Sequence, residues 1–112
     1  MTTITPAQLV GPVQLGTADA SLYSPLTPVA AQIGRAVFTN TSASATTITA
    51  GITSGGALGA STTMISARTI APGETYVSPE LAGAVLPSGS QLHANAGAAA
   101  SVTFTVSGIL FQ

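Results

Sequence analysis

Apolar and polar residues alternate along several short stretches of this chain, which is the pattern of β-strands that are buried on one face. The clearest stretch is Ser101–Ser107, in which Val and Phe alternate with Ser and Thr. Gly108 follows it directly and is expected to form a bulge that shifts the frame of the strand. Thr46–Thr53 alternates in the same way. No stretch has a sustained helical period, so the pattern favours strands throughout.

Further strands are predicted where shorter alternating runs lie between turn residues. In Ile33–Thr41, the side chains of Ile33, Val37 and Thr39 are expected on one face and that of Phe38 on the other. About seven or eight short strands, spaced roughly 8–12 residues apart, are typical of a sandwich or small barrel. We therefore expect an all-β protein, an antiparallel β-sandwich with a jelly-roll-like arrangement. The remaining predicted strands are Leu22–Ser24, Thr63–Ile70, Thr75–Ser78, Gly83–Leu86 and Gln91–Asn95.

Turn residues separate these strands. In the run Ala71-Pro72-Gly73-Glu74, proline presets φ for the second position of a type II turn and glycine accepts the positive φ of the third. Pro87-Ser88-Gly89 has similar chemistry. Asn40-Thr41-Ser42 matches the glycosylation sequon, but no secretory signal is recognised, so we interpret it as an ordinary turn that ends a strand.

Residues 1–20 are predicted to form an extended N-terminal arm that lies over the body or over a neighbouring subunit. Pro6 and Pro12 restrict the residues before them to extended backbone, and the apolar residues have no helical spacing. The β-sandwich domain is expected to span residues 21–112. The apolar side chains of the arm are candidate interface residues: Ile4, Leu9, Val10, Val13 and Leu15.

Charge is scarce, and this narrows the possible functions. Charged residues make up 4% of the chain and the net charge is −1, whereas an ordinary domain is about 25% charged. Two arginines cannot neutralise a row of phosphates, so nucleic-acid binding is not expected. No apolar run approaches the ~20 residues of a membrane helix, and no cysteine is present for a disulfide or a thiolate metal site. A surface this neutral suits a protein that works in an assembly.

Candidate catalytic residues are few. His93 would need a nearby carboxylate or second ligand to act as a base or to bind metal. Glu74 and Glu80 are the only carboxylates expected to be able to serve, and neither is spaced as a motif with it. We interpret His93 as a strand residue with a local hydrogen bond, and the two glutamates as solvated loop charges or partners of Arg68. No catalytic, cofactor or metal site is predicted, and the protein is not expected to be an enzyme. Arg35 and Arg68 are either exposed charges at strand ends or candidate interface residues that fix the register of subunits.

The run Gly34-Arg35-Ala36-Val37-Phe38-Thr39-Asn40-Thr41-Ser42-Ala43-Ser44-Ala45-Thr46-Thr47-Ile48-Thr49 resembles a pattern common in phage and prophage virion proteins. There, a strand that ends in Thr-Asn-Thr-Ser is followed at once by a Thr-rich strand. The Pro-Gly turn within Ile70–Thr75, the turn within Leu86–Leu92 and the small residues that lead into the last strand are similar to the same layout. One departure is Ser90, which stands where that pattern often has Asp.

The resemblance covers about residues 21–110 and implies a small β-sandwich component of a capsid, neck or tail. The first hypothesis is a capsid decoration or cement protein, made in the bacterial host cytoplasm and located on the virion. Its expected partners are further copies of itself, with a trimer favoured, and the major capsid protein or another virion protein; no nucleic acid or membrane is expected.

Two other functions stay open. The chain could be a neck- or tail-associated minor virion protein with the same fold. It could also be a carbohydrate-binding module for the host surface, which would need exposed aromatic rings for stacking. Most of the few aromatic residues fit core positions, so this hypothesis ranks last: Tyr23, Tyr76, Phe38, Phe104 and Phe111.

Overall fold

The computed structural model describes residues 4–25 and 29–111. These residues form nine β-strands and no helix. Residues 1–3 of the predicted arm, and residues 26–28 and 112 of the predicted domain, lie outside the described part. The strands are β1 (Ile4–Gln14), β2 (Ala20–Tyr23), β3 (Ala30–Asn40), β4 (Thr46–Thr53), β5 (Thr63–Ile70), β6 (Thr75–Val77), β7 (Val85–Leu86), β8 (Gln91–Ala96) and β9 (Val102–Phe111).

The strands form two antiparallel sheets. Sheet A has the order β1-β9-β3-β6, with β7 also paired to β3, and sheet B has the order β2-β8-β4-β5. β6 and β7 both pair with β3, so together they act as one interrupted strand. When these two are counted as one, the chain pairs as a long hairpin that is folded over on itself. The first strand pairs with the last, the second with the one before it, and so on to the β4–β5 hairpin. This is the strand order of a jelly roll, and the predicted all-β sandwich is confirmed.

The core between the sheets is built from alternating side chains. On β3 and β9, Phe38 and Phe104 lie directly opposite each other with ring centroids 4.4 Å apart, and Tyr76 on β6 is the next ring, 6.3 Å from Phe38. Such a cross-strand pair of rings contributes about 0.5–1.5 kcal/mol beyond the burial of its area. From sheet B, Ile48 and Leu92 are fully buried against this layer.

The segment predicted as an arm is extended, and it lies over the body of its own chain. β1 is the edge strand of sheet A and pairs with β9 from Ile4↔Phe111 to Gln14↔Thr103. The described part of residues 1–20 is thus integrated into the sandwich, and β2 already begins at Ala20. Sequence alternation did not reveal β1 because the strand contains two register shifts, one after Gln8 and one after Val10.

Strands β4 and β5 have the bounds that the sequence predicted, but the predicted faces of β3 are wrong in one place. Ile33 is fully buried together with Phe38, whereas Val37 lies on the other face. The cause is a register shift between Ile33 and Arg35, opposite the step from Ser107 to Gly108 on β9. The extra residue is Gly34, so the bulge expected at Gly108 belongs to the partner strand.

Hydrogen bonds from neutral side chains close two of the turns. The hydroxyl of Ser90 donates to the carbonyl of Pro87 at 2.6 Å, and that of Ser101 donates to the carbonyl of Ala98 at 2.6 Å. The predicted type II chemistry is also present, since Gly73 has a φ of 75° and the N–H of Glu74 donates to the carbonyl of Ala71. Among the described residues, every buried side-chain nitrogen and oxygen has a hydrogen-bond partner.

Gly108 is required by the close approach of β3 and β9. A Cβ atom there would lie 2.1 Å from the carbonyl oxygen of Gln32, which is backbone and cannot move aside independently. At Gly34, on the opposite side of the same irregularity, a Cβ atom would lie 3.4 Å from the carbonyl oxygen of Ser107, which is an ordinary van der Waals distance. The two glycines therefore differ in what they tolerate.

We expect Gly108→Ala to lower the free energy of unfolding by about 2–3 kcal/mol, since the new methyl group forces β3 and β9 apart. Gly34→Ala is the matched control and should change stability by less than about 1 kcal/mol. Urea unfolding of both variants measures the difference. Equal stability of the two variants would contradict the assignment of Gly108 as the point of closest approach.

Candidate functional site

The five apolar candidates of the N-terminal segment divide into two groups. Leu9, Val10 and Leu15 are buried in the core of their own subunit. Ile4 is 60% exposed and Val13 is 36% exposed. The sequence signal was the same for all five, because it registered apolar residues without showing which of them the strand turns inward. Ile4 and Val13 are thus the members of this set that offer a surface to another molecule.

The two candidate arginines lie on different sheets. Arg35 is exposed on β3 of sheet A, beside the Gly34 bulge. Arg68 is on β5 of sheet B, and its guanidinium carbon lies 4.0 Å from the centroid of the Tyr76 ring on β6 of sheet A. Such a cation–π contact is worth about 0.5–1 kcal/mol at an exposed site. Arg68 therefore holds together the edges of the two sheets, which is a structural task within one subunit.

Glu80 belongs to the same contact. The hydroxyl groups of Tyr76 and Ser78 donate to Oε1 of Glu80. The hydrogen bond from Tyr76 holds the pKa of the Glu80 carboxyl below its ordinary value, with Arg68 adding a smaller effect of the same sign. Glu80 thus lies close to Arg68, as one of the two sequence interpretations supposed, with the tyrosine ring as the shared neighbour.

The sequon residue Asn40 is fully buried and uses all of its side-chain hydrogen-bonding capacity. Its Nδ2 donates to the carbonyls of Ser44 and Ile70 at 2.9 and 3.0 Å. Its Oδ1 accepts from the N–H and the hydroxyl of Ser42. Because the β3–β4 turn and the end of β5 both bind this one side chain, the interpretation of Asn40-Thr41-Ser42 as a turn is confirmed. In the folded chain the amide is not accessible for attachment of a glycan.

His93 is buried on β8, and the expectation that only Glu74 or Glu80 could be its carboxylate partner is wrong, because the fold brings the distant Asp19 to it. Its Nδ1 lies 2.9 Å from Oδ1 of Asp19, and its Nε2 lies 2.9 Å from Oε1 of Gln91. A charged ring donates to both oxygens, and a neutral ring donates to Asp19 and accepts from the Gln91 amide if that amide is turned over. Both ring nitrogens are engaged in either case. The arrangement resembles the His–Asp half of a catalytic triad, but Gln91 occupies the position that a nucleophile would need.

Asp19 also fixes the loop between β4 and β5, here called the 54–62 loop. Its Oδ2 accepts the N–H of Leu58 at 3.0 Å. Burial alone would raise the pKa of Asp19, but the hydrogen bonds from Leu58 and His93 outweigh it and lower that pKa overall. The same loop lies directly on β4, where a Cβ at Gly51 would be 2.2 Å from the carbonyl oxygen of Thr62. The outer face of sheet B is therefore covered around Gly51 and His93 by the protein's own chain.

The outer face of sheet A has no such cover among the described residues. The exposed side chains of Ile4 and Val85 lie at one end of it, and Val85 is 53% exposed. Between β1, β9 and β3, a shallow depression of about 570 Å³ follows the glycine-rich irregularity. Its lining is mostly apolar or small: Pro6, Ala7, Gln8, Gly34, Ser107, Gly108 and Ile109. Exposed apolar surface of this kind marks sites of interaction with other proteins or ligands.

Replacement of Asn40 by Ala should lower the free energy of unfolding by about 2–3 kcal/mol, because it removes the buried hydrogen bond to the Ile70 carbonyl together with the half-buried bonds to Ser42 and Ser44. Asn95→Ala on β8 is the control, since no side-chain hydrogen bond of Asn95 occurs in the described residues. The two variants are compared by thermal and urea unfolding. An Asn40 variant as stable as the control would exclude a stabilising role for the buried amide.

The Asp19–His93 contact predicts a dependence of stability on acid. The pKa of Asp19 is lowered in the folded state, so its contribution is present above the unfolded value of about 4 and disappears as the pH falls through the folded value. Asp19→Asn should therefore lower Tm at pH 6–7, and the difference from the wild type should shrink below about pH 4. Calorimetric melting over this pH range measures it. A difference that stays constant down to about pH 2 would show that the charge of Asp19 is irrelevant.

No three His, Asp or Glu side chains in residues 4–25 and 29–111 come together in a way that could hold a metal ion. The same residues include no helix that could span a membrane. Comparison of the chain with protein-family models, with curated proteins and with solved structures found no match.

Proposed function

We propose that this protein is a structural component of a bacteriophage virion, most specifically a capsid decoration protein that binds the shell and neighbouring copies of itself. The proposal assigns it no catalytic activity. The observation that carries it is the combination of a jelly-roll sandwich with an uncovered, nearly uncharged outer face on sheet A. Jelly rolls are a recurrent architecture of capsid proteins, and the sequence resemblance to virion proteins points the same way.

The scarcity of charged residues supports a role in an assembly of several subunits. Of the five charged residues, Asp19, Glu80 and Arg68 are engaged within the subunit. Little electrostatic repulsion is left to keep copies apart. A protein with this surface is expected to self-associate, and cyclic symmetry lets one patch serve at each contact.

The aromatic residues give less support to carbohydrate binding. Phe38 and Phe104 are fully buried, and the ring of Tyr76 is occupied by Phe38 on one side and Arg68 on another. Tyr23 and Phe111 are half-buried. The described residues thus present no fully exposed ring as a platform on which a sugar could stack.

The copy number of the protein in purified particles tests the proposal. Particles of the phage whose genome encodes this chain are purified on a density gradient, and the protein is quantified by mass spectrometry against the major capsid protein. We expect on the order of hundreds of copies per particle, as shell symmetry requires of a decoration protein. Roughly a dozen copies or fewer would overturn decoration in favour of a neck or tail position. Absence from the particle would overturn the virion role altogether.

A further inference from the structure

The 54–62 loop, which lies on the outer face of sheet B, is weakly held by its own residues. Seven of its nine residues are exposed, and the other two, Leu58 and Thr62, are half-buried. Leu58 is its one large apolar side chain. The side-chain hydrogen bonds of Thr53, Thr62 and Thr63 stay within the β4–β5 hairpin. Segments with so few buried apolar contacts open at low free energy, so the loop needs a further contact to stay in place.

That contact is made by Asp19, in the connection between β1 and β2. Oδ2 of Asp19 accepts the N–H of Leu58 at 3.0 Å, while Oδ1 lies 2.9 Å from Nδ1 of His93 on β8. Among the described residues, the bond to Leu58 is the one hydrogen bond that joins the loop to a part of the chain outside the β4–β5 hairpin. Leu58 itself lies directly over Gly51, where a Cβ atom would be 2.8 Å from its Cδ2. The carboxylate thus holds the loop at the point where the loop covers β4.

The bond to Leu58 depends on the charge of Asp19. A carboxylate accepts hydrogen bonds at both oxygens, whereas a protonated carboxyl group is a weaker acceptor for an N–H. The β1–β2 connection, the 54–62 loop and the strands of sheet B carry three other titratable or charged residues: His93, Tyr23 and Arg68. His93 contacts Asp19 directly, and Arg68 lies against an aromatic ring of sheet A. Burial keeps the pKa of Tyr23 above its ordinary value, so this hydroxyl stays neutral in acid.

The direction of the pH effect follows from the same contacts. Burial alone would raise the pKa of Asp19, but the hydrogen bonds from Leu58 and His93 lower it overall. These bonds are therefore complete above the ordinary value of about 4 and are lost as the pH falls through the folded value. The strand pairing of sheet B and the apolar core bind no protons, so they do not change with this step.

We infer that acid releases the 54–62 loop from sheet B, through protonation of Asp19, while the two sheets stay paired. The released loop uncovers the backbone of Gly51 and the ring of His93, which it covers in the folded subunit. The outer face of sheet B is thus closed around these residues near neutral pH and open in acid. The groups that act in this step all lie within one subunit, so the step is independent of the proposed function.

The test compares the wild type, Asp19→Asn and Glu74→Gln by NMR at about pH 6 and about pH 3. Asp19→Asn keeps the size of the side chain and removes its charge. Glu74→Gln is the matched control, because Oε1 of Glu74 also accepts a backbone N–H, that of Ala71 at 2.8 Å, but in the β5–β6 turn. Hydrogen exchange of each amide is measured relative to an unstructured peptide at the same pH. Backbone order parameters of residues 54–62 are measured in parallel.

In the wild type, we expect acid to lower the protection of the Leu58 N–H by about threefold to tenfold and to lower the order parameters of the loop, while the amides of β4 and β8 stay protected. Asp19→Asn should have the released loop at both pH values, and Glu74→Gln should match the wild type. The inference is overturned if the loop of Asp19→Asn is as ordered as that of the wild type at about pH 6.

It is also overturned if the wild-type loop stays ordered in acid, or if β4 and β8 lose protection together with the loop, since acid would then unfold the sheet. Should Asp19→Asn fail to fold, the wild-type comparison between the two pH values decides by itself.

Discussion

The sandwich depends on the antiparallel pairing of β9 with β1 on one side and with β3 on the other. This pairing runs along the whole of β9 and sets the register of three of the strands of sheet A. It places Phe104 against Phe38, and it brings Gly108 so close to Gln32 that only a glycine fits. It also creates the irregularity from which the depression on the outer face arises. The packing of the core and the candidate binding surface thus both follow from the pairing of β9 with β1 and β3.

Cohesion elsewhere comes from neutral hydrogen bonds. Asn40 binds the β3–β4 turn and the end of β5, while Ser90 and Ser101 close their own turns. Two contacts of charged residues join distant elements: Asp19 and His93 hold the 54–62 loop against sheet B, and Arg68 reaches across to Tyr76. Most of the few charged residues of this chain thus make contacts within the subunit, and Arg35 is the one that lies on the described strands of sheet A.

Sequence pattern predicted much of this fold because alternation and turn chemistry are local. β4 and β5 were predicted with their observed bounds, and Gly73 adopts the positive φ that its turn requires. β1 was missed as a sheet strand because its bulges break the alternation, and Ile33 was assigned to the wrong face because Gly34 inserts one residue. The contact partners of His93 and Arg68 could not be predicted from the sequence for another reason. Asp19 is 74 residues from His93 in sequence, and only the folded chain brings them together.

The turns that are closed by neutral side chains have a consequence for how stability depends on the medium. Ion pairs weaken when salt rises, and carboxylates lose their contribution when the medium becomes acidic. Bonds such as those of Asn40, Ser90 and Ser101 exchange neither protons nor counter-ions with the surroundings. The folded subunit should therefore keep these turns through changes of salt and pH that loosen turns closed by ion pairs.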